Sequence, residues 1–308
     1  MWYFFLFIFG LAIGSFLNVV SLRYRPTDKI LDLKIISGRS HCVNCGKTLA
    51  WYELIPILSF IVQKGRCRSC GKRLFWQYPL VEILSGIIFV AVPWHFNNFQ
   101  FLISNFQSIS NFQLLIAAIW VLIFLLFLLL SIIDFRHYII PDSINLSLAI
   151  LGIVLIIFNF QFLISNQFSI SNFQLSNSFL GHYSSLFNFW SLSIINNQWS
   201  VVVSHLAATL FGMLFFWLII FLSKGKAMGW GDFKLVGALG LIFGWPDVIM
   251  VLISSFLVGG IFCAVLLIKG RKKMKDAVPF GPFLVIGSGL TFFFGYQIID
   301  AYFKLFNL

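Results

Sequence analysis

Long apolar runs separated by short polar segments are the feature that most constrains the fold of this chain. Hydrophobic residues make up 60% of the chain and charged residues only 10%, a composition outside the range of soluble domains. Each membrane crossing needs about 20 apolar residues, so the pattern predicts an all-α polytopic membrane protein with about eight transmembrane helices. The predicted spans are residues 1–22, 79–96, 114–133, 143–160, 201–222, 232–245, 247–268 and 282–303.

The net charge of +11 is distributed unevenly among the loops. Eleven of the 21 Lys and Arg residues lie between Arg23 and Arg73, and most of the others follow the third, fifth and seventh spans. The segments 97–113 and 161–200 contain no Lys or Arg. By the positive-inside rule, both termini are expected outside and the basic loops in the cytoplasm. The charge therefore reflects topology in a lipid bilayer and argues against a nucleic-acid partner.

A local repeat in the first basic loop contains two CxxC pairs. Cys42 and Cys45 form the first pair and Cys67 and Cys70 the second, and Gly-Lys follows each pair. Two such pairs about 20 residues apart are typical of a tetrahedral zinc site with four cysteine ligands. Disulfides or a redox pair are the alternative, but a cytoplasmic loop is reducing and no thioredoxin-like βαβ pattern surrounds either pair. The sequence predicts a structural zinc site, whereas Cys263 is expected to pack inside the seventh span.

Two aspartates stand where apolar runs meet polar segments. Asp134 ends the third predicted span and Asp232 begins the sixth, so the predicted topology puts both at the cytoplasmic face. Gly229 and Gly231 precede Asp232 and would permit close approach of the backbone. An interfacial charge or a helix cap would explain one such residue alone, but a carboxylate at the edge of the hydrocarbon is costly and typically functional. The pair predicts the catalytic dyad of a membrane-embedded aspartic protease.

The chemistry of such a dyad assigns different roles to its two members. Two adjacent carboxylates cannot both ionise easily, so one holds a proton. The ionised member would accept a proton from the attacking water, and the protonated member would donate to the oxyanion or the leaving amine. Asp232 opens a helix, where the positive end of the helix dipole favours an anion, and Asp134 closes one, where the negative end disfavours it. We therefore expect Asp232 to be the base.

Several other short motifs occur along the chain. They include Gly14-Ser-Phe-Leu-Asn18 in the first span, Tyr78-Pro-Leu-Val-Glu82 at the start of the second, and Pro279-Phe-Gly281 before the eighth. The segments from Asp134 to Asp142 and from Met228 to Lys234 complete the series. In this order, and together with the CxxC pairs, the motifs resemble the type IV prepilin peptidases (prepilin leader peptidase/N-methyltransferase). The resemblance spans nearly the whole chain.

This resemblance implies a bifunctional enzyme of the bacterial inner membrane that serves type IV pili or type II secretion. It would cleave the leader of prepilin or pseudopilin precursors on the cytoplasmic side with Asp134 and Asp232, and would then methylate the new amino terminus with S-adenosylmethionine. No G-x-G-x-x-G motif after a strand supports the second activity independently. Among the other matching residues, Asp142 is interpreted as a turn or cap residue, and Glu82 and Lys234 as candidates for the wall of the site.

The chain is expected to divide into three parts. They are a first transmembrane helix at 1–22, a cytoplasmic zinc-binding domain associated with methylation at 23–78, and a transmembrane peptidase domain at 79–308. External insertions at 97–113 and 161–200 contain a repeat, because residues 98–114 recur almost unchanged at 159–175. Low-complexity sequence of this kind more often reflects duplication than chemistry, so no catalytic role is predicted for it.

Three alternatives to this interpretation can be distinguished from it. Another GxGD intramembrane protease, of the presenilin or signal-peptide-peptidase kind, would not account for the CxxC pairs or for the segment from Asp134 to Asp142. A carboxylate-relay ion transporter would place its acids near the middle of the bilayer and would show an inverted repeat, and the sequence indicates neither. A zinc-anchored scaffold would tolerate substitution of either aspartate, whereas a protease would not.

Overall fold

The computed structural model describes residues 2–26, 38–101, 110–165, 199–225, 227–270 and 276–305. Within these residues the secondary structure is helical, and the β-type pairings are two isolated bridges, His41 with Thr48 and Arg66 with Arg73. The α-helices are α1 (Trp2–Arg23), α2 (Leu58–Val62), α3 (Gln77–Phe101), α4 (Ser110–His137), α5 (Asp142–Ser165), α6 (Trp199–Leu222), α7 (Trp230–Phe243), α8 (Asp247–Ile268) and α9 (Gly281–Leu305). A short 3-10 turn, Trp51–Glu53, precedes α2.

Every predicted span coincides with one helix, but not every helix is long enough to count as a crossing by itself. Five segments in the described part of the chain are long and apolar enough to cross a membrane: Trp2–Arg23, Gln77–Phe96, Leu114–His137, Val201–Leu222 and Asp247–Ile268. The apolar segments Asp142–Phe158 and Gly281–Gly295 are shorter, and α7 has only 14 residues. The chain is therefore an integral membrane protein, and the total of eight crossings stays a prediction.

Several helices extend beyond the predicted boundaries of their spans. Helix α3 continues to Phe101, and α5 continues to Ser165. The predicted external insertions 97–113 and 161–200 therefore include helical residues at their edges. Their central parts, residues 102–109 and 166–198, lie outside the described residues.

The chain divides into two compact units, residues 1–137 and 138–308. In the first unit, α1 packs along α3, and α4 contacts both helices. Small residues make the contact between α1 and α3 close: a Cβ atom at Gly10 would lie 2.7 Å from the Cα of Gly86, and one at Gly14 would lie 2.7 Å from the Cα of Glu82. Contacts between small residues of this kind let helix backbones approach each other in membranes, where apolar surface alone gives little preference for association.

In the second unit, the short helix α7 is the most enclosed element. It packs against α5 and α6, and α8 packs against α9. Leu235, Val236 and Leu239 of α7 are almost completely buried. The glycines of α7 explain how so short a helix fits between its neighbours, because a Cβ atom at Gly240 would lie 2.5 Å from the Cα of Thr209 on α6.

This close approach predicts that Gly240→Ala destabilises the protein. The added methyl group would meet backbone atoms of Thr209, which cannot move aside as a flexible side chain can. Overpacking of this kind typically costs about 1–3 kcal/mol, so the apparent melting temperature in detergent should fall. Gly260→Ala on α8 is the matched control, since a Cβ atom there would meet nothing within 4 Å. Equal melting temperatures for the two variants would contradict the packing of α6 against α7.

Candidate active site and metal centre

The four cysteines of the CxxC pairs lie in two loops with the same backbone hydrogen bonds. The N–H of Cys42 donates to the carbonyl of Lys47 at 2.9 Å, and the N–H of Cys67 donates to that of Lys72 at 2.9 Å. Gly46 and Gly71 follow the second cysteine of each pair and adopt φ of +72° and +70°, a conformation that favours glycine. The sequence repeat is thus also a structural repeat.

The two loops bring four sulfur atoms into one cluster. The Sγ atoms of Cys42, Cys45, Cys67 and Cys70 all lie within 4.8 Å of one another, and none of these cysteines is in a disulfide. Zinc binds thiolates at about 2.3 Å in tetrahedral geometry, which fits a cluster of this size. The cluster of free cysteines can therefore hold the zinc ion that the sequence predicts. Cys263 lies in α8 of the second unit.

Backbone and side-chain donors favour thiolates in part of the cluster. Backbone N–H groups of Cys45 and Asn44 lower the pKa of Cys42. The backbone N–H of Lys72, followed by the side chain of Asn44, lowers the pKa of Cys70 to about 6. The backbone N–H of Lys47 acts in the same sense on Cys45, but desolvation and the neighbouring sulfurs outweigh it and raise the pKa of Cys45 to about 11. Negative charges on four neighbouring sulfur atoms repel one another and so disfavour ionisation of all four thiols. A bound divalent cation would offset this repulsion.

A side-chain contact links the two loops outside the sulfur cluster. Asn44 donates from Nδ2 to the Sγ of Cys70 at 3.6 Å, and its Oδ1 accepts from the Nζ of Lys72 at 2.7 Å. Asn44 belongs to the first loop, whereas Cys70 and Lys72 belong to the second. Outer contacts of this kind orient the metal ligands. The sequence repeat alone did not indicate this role for Asn44.

Asp134 lies in the first unit, in the last turn of α4. The helix does not end at Asp134, as the predicted span does, but continues to His137. The carboxylate is buried, with 4% of the residue exposed, and the preceding residue Ile133 is fully enclosed. Asp134 therefore occupies the buried end of a membrane-spanning helix rather than a solvated loop.

Asp232 lies in the second unit, in the first turn of α7. Its Oδ2 accepts a hydrogen bond from the backbone N–H of Gly229 at 3.2 Å, and 9% of the residue is exposed. This contact caps the amino terminus of α7, where unpaired N–H groups and the helix dipole favour a negative charge. A Cβ atom at Gly231 would lie 3.0 Å from the Cβ of Ile140, so the glycine permits the close approach that its position predicts.

Two residues that the sequence left without a partner pair with each other. The Nζ of Lys234 donates to Oδ1 of Asp142 at 2.8 Å, which joins the first turn of α7 to the first residue of α5. The Nδ2 of Asn145 donates to the carbonyl of Gly231 at 3.4 Å and adds a second link between these helices. Asp142 does begin a helix, in agreement with its interpretation as a cap residue. Its pairing with Lys234 crosses 92 positions of sequence and has no local signal.

Glu82 lies in the first unit, in the wall of a cavity bordered by the cysteine loops. Its Oε2 accepts from the backbone N–H of Ile57 at 2.8 Å, so the residue ties α3 to the loop that carries the cysteines. The cavity has a volume of about 480 Å³ and is lined by residues of α1, α3 and both cysteine loops, without Asp134. Glu82 thus lies in the wall of a cavity formed within the first unit, and its place in the wall of the catalytic site stays a prediction.

The described structure therefore contains two separate groups of the predicted site residues. The four cysteines and Glu82 border one cavity in the first unit. Gly229, Gly231 and Asp232 lie at the amino terminus of α7 in the second unit, where Lys234 meets Asp142. Asp134 belongs to the first unit and Asp232 to the second, so their pairing as a dyad stays a proposal.

Two family models match this chain. The bacterial peptidase A24 N-terminal domain matches residues 8–96, which include the cysteine loops and Glu82. The type IV leader peptidase family matches residues 175–264, which include Asp232. Together with the helical membrane fold and the four-cysteine cluster, these matches define a membrane-bound peptidase.

Curated relatives extend the similarity over the whole chain. A prepilin leader peptidase/N-methyltransferase of Xanthomonas campestris is 31% identical over 97% of this chain and 93% of its own length. The enzymes with this name from Legionella pneumophila and Bacillus subtilis are 30% and 29% identical, and the alignments cover 95% and 97% of their lengths. No solved structure matches. The chain belongs to the prepilin leader peptidase/N-methyltransferase family, and the resemblance inferred from its motifs is confirmed.

Proposed function

We propose that this protein cleaves the leader peptide of type IV prepilin-like precursors at the cytoplasmic face of the bacterial inner membrane. Asp134 and Asp232 form its catalytic dyad, and the new amino terminus is then methylated with S-adenosylmethionine. The observation that carries the proposal is the setting of Asp232, a buried carboxylate held by Gly229 at the start of the enclosed helix α7. The full-length relatives supply the substrate class, since their name refers to prepilin leaders.

The burial of both aspartates supports a catalytic role. A buried carboxylate needs a compensating charge or a set of hydrogen bonds, and it is costly otherwise. Asp232 takes part in no ion pair of 4.0 Å or less within the described residues, in contrast to Asp142. A buried acid such as Asp232 that is not neutralised by a cation is suited to exchange protons with water and substrate.

The same residues define the steps of cleavage. An ionised Asp232 accepts a proton from a water molecule as its oxygen attacks the carbonyl carbon of the scissile peptide. A protonated Asp134 stabilises the oxyanion and then donates its proton to the leaving amine as the C–N bond breaks. The two acids exchange protonation states in one turnover, and no covalent intermediate is required.

Charge supports the cytoplasmic orientation of this site. The loops that carry Lys and Arg follow the first, third, fifth and seventh predicted spans, whereas 97–113 and 161–200 have no Lys or Arg. With eight crossings, this distribution puts the ends of α4 and α7 that carry Asp134 and Asp232 on the basic side. By the same rule, the basic leader of a precursor stays on that side. The cleavage site of the substrate and the active site of the enzyme would then lie at the same face of the membrane.

The region between α1 and α3 is proposed as the part that serves zinc binding and methylation. In this division, 1–22 is the first crossing, 23–78 the cytoplasmic zinc-binding domain and 79–308 the transmembrane peptidase domain. The four-cysteine cluster supports a structural zinc ion in this domain. Methylation rests on the name of the relatives.

A cleavage assay tests the proposal. The purified protein in lipid nanodiscs is incubated with a precursor that has a short basic leader, a glycine and an apolar helix beginning with Phe. Mass spectrometry should detect a product that starts at the Phe. An ion-flux assay of the protein in sealed vesicles tests the transporter alternative. An intact precursor, together with ion flux that depends on the aspartates, would overturn the peptidase assignment.

The assignment of the two protons is open to a direct spectroscopic test. Because Asp232 caps a helix amino terminus and Asp134 lies at a helix carboxyl terminus, we expect Asp134 to hold the proton in the resting enzyme. In infrared difference spectra, the band of the protonated carboxyl group should disappear in Asp134→Asn and persist in Asp232→Asn. The opposite pattern would exchange the two roles. The pair titrates as a unit, so apparent pKa values from such spectra belong to both residues.

A further inference from the structure

Large apolar side chains are exposed in the segment that joins α1 to α3. Six of them are between 60% and 79% exposed, although this segment is predicted to lie outside the bilayer core: Trp51, Leu58, Ile61, Val62, Phe75 and Trp76. Exposed apolar patches of this kind mark contacts with a membrane or with another protein. The proposed cleavage reaction uses none of these residues.

Helix α2 turns its apolar face outward. Leu58, Ile61 and Val62 are spaced three and four residues apart, so they lie on one face of the helix. Ser59 and Gln63 lie on another face and line the cavity of the first unit. A helix of only five residues is marginal in water. This orientation therefore indicates apolar surroundings on the outer side of α2.

Two contacts fix the depth of α2 beside the membrane-spanning helix α3. The N–H of Ile57, the residue before α2, donates to Oε2 of Glu82 at 2.8 Å. The rings of Phe60 and Trp76 lie 5.4 Å apart between centroids. Glu82 is five residues beyond the start of the apolar segment Gln77–Phe96, or about 7.5 Å along the helix axis. Interfacial helices bury their apolar face about 5–10 Å into the boundary between headgroups and acyl chains, so α2 lies at the matching depth.

Aromatic rings adjoin α2 in two places. The turn Trp51–Glu53 packs against α2, and Trp76 directly precedes the first residue of α3. Tryptophan is enriched at the headgroup level of membrane proteins, because its ring is apolar but carries one N–H donor. The guanidinium of Arg68 lies 5.1 Å from the ring centre of Tyr52, so a cation adjoins the same aromatic group.

The charge of this segment identifies the partner. Residues 38–76 contain seven Lys and Arg residues and one carboxylate, that of the buried Glu53. Lys64, Arg66 and Arg68 follow α2 directly and are exposed. Anionic lipids attract basic residues next to a membrane-spanning helix. A second copy of the chain would bring the same positive charge to the contact, so charge disfavours a symmetric dimer at this surface.

We propose that α2 docks onto the anionic phospholipids of the membrane face from which α3 starts. The apolar face of α2 and the rings of Trp51 and Trp76 enter the boundary between headgroups and acyl chains. Lys64, Arg66 and Arg68 bind the lipid phosphates. Because another face of α2 lines the cavity, this contact also holds one cavity wall against the membrane. The inference does not depend on cleavage or methylation.

Quenching by spin-labelled lipids tests this contact in the full-length protein. An environment-sensitive fluorescent amino acid replaces Ile61, and its emission is measured in nanodiscs that hold one copy of the protein and no precursor. A nitroxide in the upper part of the acyl chain should quench most of this emission, and iodide in the water little of it. Val43 is the matched control position, since it is 68% exposed but belongs to the first cysteine loop. There, iodide should be the stronger quencher.

Lipid composition tests the role of charge. Quenching at position 61 should be stronger in nanodiscs that contain phosphatidylglycerol than in nanodiscs of phosphatidylcholine alone. Combined substitution of Lys64, Arg66 and Arg68 by Gln should remove this difference. Lys224→Gln, which removes a cation in the second unit, should leave it unchanged. Equal quenching of the unsubstituted basic protein in both lipids would overturn the proposal.

A photoreactive phospholipid covers the case in which a variant fails to fold. With the reactive group near the headgroup, it should label residues 51–76 of the unmodified protein, as located by peptide mapping. Iodide quenching at position 61 as strong as at position 43, with no lipid label in residues 51–76, would overturn the proposal. Protection of position 61 from iodide that arises only after a precursor or a second copy is added would also overturn it, in favour of a protein partner.

Discussion

Asp134→Asn and Asp232→Asn are each expected to abolish leader cleavage while the protein stays folded in the membrane. Asparagine keeps the size of the side chain and its ability to accept a hydrogen bond, but it cannot exchange the proton that the mechanism requires. General acid or base catalysis typically contributes about 10²–10⁴-fold to a rate, so the loss should be at least of that order. Initial rates of cleavage in nanodiscs, followed by mass spectrometry, measure the effect.

Asp142→Asn is the matched control for these two substitutions. Asp142 is chemically the same residue and also lies at a helix end, but its side chain is 73% exposed and paired with Lys234. An exposed ion pair contributes about 0–1 kcal/mol, so this variant should retain measurable cleavage. A near-native rate in either Asp134→Asn or Asp232→Asn would show that the protein does not use an aspartic dyad. Loss of activity in all three variants would point instead to disruption of the fold.

The transmembrane helices could be predicted from the sequence for a simple physical reason. A membrane-spanning helix must satisfy its backbone hydrogen bonds internally and must be apolar over its length, so composition alone reveals it. Each predicted span therefore coincides with a helix, from α1 at Trp2–Arg23 to α9 at Gly281–Leu305. The predicted boundaries of the spans were less accurate, because a helix such as α3 can continue to Phe101 beyond the last residues of the apolar run.

The metal centre could also be predicted from sequence, since its ligands are local in the chain. The spacing within each CxxC pair fixes two sulfurs on one loop, and the repeat around Gly46 and Gly71 shows that both loops have the same turn. A reducing location disfavours disulfides, so four cysteines at this spacing indicate a zinc site. The structure confirms a cluster with all sulfurs within 4.8 Å of one another.

Contacts between residues far apart in sequence could not be predicted in this way. The ion pair of Lys234 with Asp142 depends on how α7 packs against α5, and the bond from Ile57 to Glu82 depends on how the cysteine loop folds onto α3. Neither contact leaves a periodic or spaced signal in the chain. The cavity beside Glu82 was missed for the same reason, since its walls come from α1, α2, α3 and the loops between them. The motifs supplied candidate residues for the site, but not the partners of those residues.

Substitution of one zinc ligand is expected to have the second large effect. The purified protein should contain about one zinc ion per chain, with sulfur ligands at about 2.3 Å by X-ray absorption. Cys45→Ser should lose most of this zinc and lower the yield of folded protein several-fold. Structural zinc supplies folding free energy directly, about 10–16 kcal/mol in small zinc-binding peptides at neutral pH.

Cys263→Ser separates loss of the metal from loss of a thiol. Cys263 is half-buried in α8 and lies outside the sulfur cluster, so this variant should keep its zinc and its yield. In Cys45→Ser, the partners Cys42, Cys67 and Cys70 would hold three ligands, which leaves the metal exposed to exchange and to chelators. Purified protein without metal, in which all four thiols are alkylated together under native conditions, would rule out the zinc site. A zinc content that is equal in both variants would exclude Cys45 as a ligand, and with it the four-sulfur geometry that fixes the cysteine loops.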